Sequence, residues 1–187
     1  MENRGVTMNY DDGMNHIQRM SQRYRILFNV LIISIPALDF LYWVFFNHLP
    51  EGFVATLPVL RSYPLSSPFL ALAFLASLLP VSAALYGVMT LRALFSLYEK
   101  AIIFSAENVM YFRRLGYALI AWVISNALFT PLISAIMTYS NPPGDRMLVA
   151  QLGVFDISTL LIGCVVLLIA WVMDEGRKLE DEQAHTV

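Results

Sequence analysis

The sequence predicts an all-α membrane protein with four transmembrane helices and both termini cytoplasmic, the second and third helices extending into a cytoplasmic helical hairpin. Three observations lead there. Of 187 residues, 58% are hydrophobic and only 14% charged, and the mean hydropathy of +0.62 is far from the balance of a soluble domain. Four runs, residues 26–46, 69–91, 115–138 and 152–173, supply the roughly 20 mostly apolar residues that a helix needs to cross a bilayer. Ten of the twelve Lys and Arg residues fall on one side of the alternating connections, and the cytoplasmic bias of such residues sets the orientation.

The N-terminal segment, residues 1–25, is expected to be cytoplasmic. Its stretch "MNHIQRMSQRYR" places Met14, Ile17, Met20 and Tyr24 at three- and four-residue spacing beside Arg19, Arg23 and Arg25. That pattern reads as a short helix lying on the inner membrane surface, or equally as a tail anchored by its arginines. The polar lead-in and the lack of a prompt small-residue cleavage site exclude an ordinary cleaved signal peptide. The first span carries one charge, Asp39, and Tyr42 and Trp43 near its end fit an interfacial aromatic belt. The connection "NHLPEGFVATLPVLRSYPLSSP" holds Pro50, Pro58, Pro64 and Pro68, a spacing that forbids regular helix and predicts an extended outer cap.

The second span is free of charge, and "TLRALFSLYEKAIIF" carries its helix out of the membrane on residues too apolar for a solvated linker. The third helix should begin at Ser105, a natural N-cap, with Glu107 in the first turn and Phe104 spaced to staple against Val109. Roughly two turns of it, including Arg113 and Arg114, then project below the apolar run. Trp122 lies too deep for a belt and is assigned to packing. Asn141, Pro142, Pro143 and Gly144 form a short outer turn. The fourth span carries Asp156 and ends near Trp171, a second belt residue. Residues 174–187 form a cytoplasmic tail with an i,i+4 pair, Asp174 and Lys178, and an acidic end, Glu180, Asp181 and Glu182. There is no internal repeat, so residues 1–187 read as a single four-span domain.

Several functions are excluded on composition. A net charge of -2 and a pI of about 5.9 argue against direct nucleic-acid binding. Cys164 is the only cysteine, so no disulfide or thiol-redox pair can form within the chain. His16, His48 and His185 all lie outside the spans, which removes the usual axial ligands of a membrane haem. No nucleophile with its base and no clustered metal ligands stand out. The expectation is a protein with no enzymatic activity, no cofactor and no metal.

Inside the apolar runs, two carboxylates remain. Counted at 1.5 Å per residue, Asp39 and Asp156 sit roughly 10 and 6 Å inside the outer boundary. A charged Asp costs on the order of 3 kcal/mol at the slab centre and less towards the interface, so both should face the interior or water. Gly153, Asp156, Thr159 and Gly163 share one face of the fourth helix, Asn126, Thr130 and Ser134 form a row on the third, and Pro36, Pro80 and Pro131 each free a backbone carbonyl. Two readings of this layer stay open. In one, Asp39, Asn126, Thr130 and Asp156 bind a cation, a proton or a small polar solute. In the other, the acids are wetted from outside or hydrogen-bonded to Thr130, Asn126 or Arg146 and lock the register of the helices.

The hairpin "LRALFSLYEKAIIFSAENVMYFRRLGYALI" with the ending "EGRKLEDEQAHTV" resembles the YoaS-like family, small four-helix inner-membrane proteins of bacteria assigned to a domain of unknown function. Members of that family typically carry glycine where this chain has Ala101, and leucine in place of His185. The resemblance implies residence in the bacterial inner (cytoplasmic) membrane, and it implies a regulatory partner, since relatives are often encoded beside a small Cro/C1-type helix-turn-helix protein. The leading expectation is therefore a regulatory or interaction protein that presents its hairpin and acidic tail to a soluble partner through Glu107, Arg113, Arg114, Glu180, Asp181 and Glu182. A small transporter or ligand sensor built on the Asp39 and Asp156 layer is the alternative, and a structural membrane component the third. Besides the lipid bilayer and such a regulator, a further copy of the chain is a compatible partner.

Overall fold

A computed structural model describes the backbone of residues 3–50, 52, 64–102 and 105–184, and the side-chain surroundings of residues 19–50, 52, 64–102 and 105–179. Its elements are α1 (Asn3–Phe45), a single 3-10 turn (Phe46–His48), α2 (Ser67–Glu99), α3 (Ala106–Thr138) and α4 (Val154–Ala184). All four helices contain a stretch long and apolar enough to cross a membrane.

Helix α1 has 43 residues, about 64 Å at 1.5 Å per residue and so about twice the thickness of a hydrocarbon core. The N-terminal segment is thus a direct extension of the first span, where a separate surface helix was one of the expectations. Residues 3–25 contain no proline, and extending a helix already nucleated by the span adds one hydrogen bond per residue fixed. At the other end of the chain, α4 likewise continues past the apolar run to Ala184.

The turn between α2 and α3 is short and heavily bonded. Ile102 N–H donates to Leu97 O and Ala101 N–H to Tyr98 O, both at 3.0 Å. This pair of bonds is a Schellman motif, which places Ala101 at its left-handed position, and the φ of Ala101 is 60°. Helix α3 opens as the sequence predicts, with Ser105 Oγ accepting from Asn108 N–H at 3.3 Å. Asn108 is fully buried and its Nδ2 donates back across the turn to Ile102 O at 3.0 Å. The expected staple partner Phe104 lies outside the described residues.

Packing follows chain order. Helix α1 packs on α2, α2 on α3 and α3 on α4, and no other pair of helices packs comparably among the described residues. The four helices thus form an open row. Lipid tails are as apolar as leucine, so the open faces carry no hydrophobic penalty of the kind water would impose. Accordingly Ile33, Leu161 and Val154 are largely exposed. Helix α4 gains its hold on α3 at two facing glycines. A Cβ added to Gly116 would stand 2.6 Å from Leu167 Cγ and 3.1 Å from Gly163 O, so the two backbones meet where any side chain would intrude.

The main apolar cluster, Trp43, Phe46, Ala73 and Ile133, lies at the end opposite the hairpin. Trp43 is 4% exposed, which removes it from the interfacial belt expected from its position. Its indole N–H is satisfied internally by Ser77 Oγ at 2.9 Å, and that partner makes deep burial of the ring tolerable. Asn47 clamps the start and finish of the link between α1 and α2, donating to Leu65 O at 2.9 Å and accepting from Leu65 N–H at 3.0 Å. The proline-rich middle of that link, residues 51 and 53–63, lies outside the described residues. The link between α3 and α4 turns as expected, with Asp145 N–H on Pro142 O at 3.1 Å and Gly144 at φ 113°, which only glycine adopts readily. Beyond the turn, the irregular return is pinned to α3 by Ser134 Oγ, which accepts from Val149 N–H at 2.9 Å.

Candidate functional site

Helices α1 and α3 stand apart over α2, and a cavity of about 350 Å³ fills the gap. From α1 it receives Asp39, Tyr42 and Trp43 together with Ile35. Its floor on α2 is Ser77, Pro80, Val81 and Ala84, and α3 contributes Trp122, Asn126 and Phe129. The walls are therefore mainly aromatic and aliphatic, with a single carboxylate among them. Among the described residues no Lys, Arg or His forms an ion pair with Asp39.

The carboxylate is held by a short relay. Ser77 Oγ accepts from the Trp43 indole and can donate its one proton either to Asp39 Oδ2 at 2.9 Å or to Phe74 O at 2.7 Å. The hydroxyl thus supports the carboxylate when it turns outward and leaves it when it turns to its own helix. Asn126 Nδ2 donates to Trp122 O at 3.0 Å, which leaves its side-chain oxygen as the acceptor end of the amide.

The polar layer expected from the sequence divides in two. Asp39 and Asn126 line the same cavity, whereas Thr130 and Asp156 do not. Thr130 Oγ1 donates to Asn126 O within its own helix at 3.0 Å. Asp156 Oδ2 accepts from Gly153 N–H at 2.8 Å, which caps the first turn of α4 and places negative charge at the positive end of its dipole. Arg146 turns away from both acids, donating to Asn141 O at 3.3 Å and lying 5.2 Å above the Tyr139 ring. Ser77, Trp43 and Trp122 escaped the sequence reading as cavity residues. A lone serine three positions before a proline and tryptophans in apolar runs carry no periodic signal that would single them out.

At the hairpin end the helices are tied by charge. Arg25 meets Glu99 at 2.7 Å, joining α1 to α2, beside a cluster in which Tyr24 and Phe28 both contact Phe95. Arg113 meets Asp174 at 2.8 Å, joining α3 to α4, and Lys178 approaches the same Asp174 oxygen at 3.5 Å as its i,i+4 spacing predicts. Glu107 is exposed, and Arg114 lies over the Tyr111 ring at 5.6 Å. The acid that meets Arg113 is therefore Asp174, nearly two turns before the acidic end. Glu180, Asp181 and Glu182 continue the helix of α4, but their side chains lie outside the described residues. No group of three or more His, Cys, Asp or Glu side chains among the described residues is placed to hold a metal ion.

Over residues 27–187 the chain matches the family described as "Protein of unknown function (DUF2975)". No curated protein and no solved structure matches it.

Proposed function

Since this chain belongs to the DUF2975 family of proteins of unknown function, its role has to be read from its own residues, and we propose that it is a regulatory protein of the bacterial cytoplasmic membrane. Both termini and the α2–α3 hairpin face the cytoplasm in this reading, supported by the side on which Lys and Arg accumulate. It carries out no catalytic step. The hairpin offers Glu107, Arg113 and Arg114 to a soluble partner, a small helix-turn-helix regulator of the Cro/C1 type being the one that the resemblance implies.

The observation that carries this reading is the Arg113–Asp174 pair. Its arginine side chain is 45% exposed and that of Asp174 17%, and a pair whose cation stands in solvent in this way holds its helices together only weakly. Helix α4 is therefore lightly fastened to the hairpin at this end, and an acidic partner face can replace Asp174, with Glu180, Asp181 and Glu182 adding to the competition. A bias of a few kcal/mol between the two arrangements is enough for a switch. Crosslinking and pull-down from native membranes test it. Replacing Arg113 and Arg114 by Glu should weaken capture of the regulator, while Asp174→Asn or termination after Lys178 should strengthen it. If none of these changes what is captured, the hairpin is only a membrane-interface cap and this reading falls.

A second reading is favoured by the cavity between α1 and α3. Asp39 and Asn126 line a space of about 350 Å³, within the roughly 300–1,000 Å³ typical of small-molecule sites. In this reading the chain senses or carries a small solute within the membrane, and the cytoplasmic hairpin reports its presence.

A further inference from the structure

We propose that the cavity between α1 and α3 binds a small organic monocation, a quaternary ammonium or a protonated amine, whose charge is met by the Asp39 carboxylate and the surrounding aromatic faces. The inference rests on the second reading above and names the solute's chemistry.

Asp39 supplies the first argument. It lies inside the first apolar run, where an ionised carboxylate is costly unless a counter-charge or water neutralises it. No basic side chain among the described residues provides that counter-charge, and Ser77 offers one proton that it also shares with Phe74 O. A cationic guest supplies what the described residues do not.

The walls supply the second. Tyr42, Trp122 and Phe129 are drawn from two helices onto one cavity that holds a single carboxylate, backed by the Trp43 ring, which is 4% exposed and stacks on Phe46 at 5.1 Å. Aromatic faces attract cations through the ring quadrupole, tryptophan most strongly, by about 0.5–2 kcal/mol each, the upper end being reached when the charge is desolvated. The same walls suit the alkyl surface of an organic cation and would gain nothing from a hydrated inorganic ion.

The third is a comparison with metal ions. A hard divalent cation takes six or more oxygen ligands at about 2.0–2.6 Å, and the side chains lining this cavity provide one carboxylate, two hydroxyls (Ser77 and Tyr42) and one amide around about 350 Å³. The space is far too wide and too poor in oxygen for such an ion. It suits a guest of several non-hydrogen atoms with one positive centre. Because α1 and α3 do not pack against each other comparably to their neighbours, a lipophilic cation dissolved in the bilayer can enter between them.

The full chain in lipid nanodiscs, probed with benzyltrimethylammonium and its uncharged carbon isostere neopentylbenzene, tests the assignment through tryptophan fluorescence. The charged probe should change the fluorescence saturably and bind about tenfold or more tighter than the isostere, a difference of one or two cation–aromatic contacts plus the carboxylate. Asp39→Asn should abolish that preference, and Trp122→Leu should reduce affinity for the charged probe by several-fold while leaving Asp39 in place, so that a misfolded Asn variant does not decide the matter alone. Equal binding of both probes to the unmodified chain would overturn the cation assignment and leave a solute cavity standing. Absence of saturable binding by either would overturn the assignment together with the second reading, and an Asp39→Asn chain that keeps the preference would show that the charge is met elsewhere.

Discussion

At Ala101 the backbone adopts φ 60°, a conformation that costs a residue with a Cβ about 1–2 kcal/mol. The position is fixed by the two hydrogen bonds that close α2, from Ile102 and Ala101 to Leu97 and Tyr98, so the residue cannot relax without losing them. Glycine would remove the clash but would add freedom to the unfolded chain, returning about 0.5–1 kcal/mol of the gain. Ala101→Gly should therefore stabilise the protein by up to about 1 kcal/mol, read as a higher midpoint of thermal unfolding in detergent. A lower midpoint would mean that the turn is held in another geometry. The turn is also held from the α3 side, where Ser105 caps the helix and Asn108 reaches back to Ile102 O.

Between elements, the contact of α3 with α4 rests on shape more than on charge. Gly116 faces Leu167 and Gly163 O at distances that no Cβ can share, so Gly116→Ala must push α4 outward or bend Leu167 off its rotamer, at about 1–3 kcal/mol. The expected result is lower thermal stability and faster proteolysis in the residues after Lys178, and an unchanged protease pattern would show that the contact is looser than the backbone spacing implies. How far such features could be read from sequence depends on their period. Helix starts, the turn at Gly144 and the apolar runs announce themselves within a few neighbouring residues, and Ser105, Pro142 and the four runs all appear where local chemistry puts them. The pairing of Asp39 with Ser77 or of Gly116 with Gly163 depends on which faces of separate helices meet, which no local pattern encodes. Trp43 was misplaced for the same reason, since its position near a span end suggests the interface while its partner Ser77 lies 34 residues away.

For the whole molecule, orientation is the property that most needs a direct test. With ten of twelve basic residues on one side, reporter fusions after Lys178 and within residues 94–113 should report cytoplasm, and one near Arg61 should report the outside. An external signal from the fusion after Lys178 would overturn the four-span arrangement with its paired termini. The packing of each helix mainly on its predecessor has a bearing on how the protein is made. A ribosome delivers the helices one at a time, and in an open row every new span finds its partner already in the membrane, the most recent one to have left the insertion machinery. No helix has to wait for a later arrival to close a ring. Contacts so local in the chain keep the loop-closure cost of assembly small and shorten the time during which Asp39 or the Gly116 face stands unpartnered in lipid.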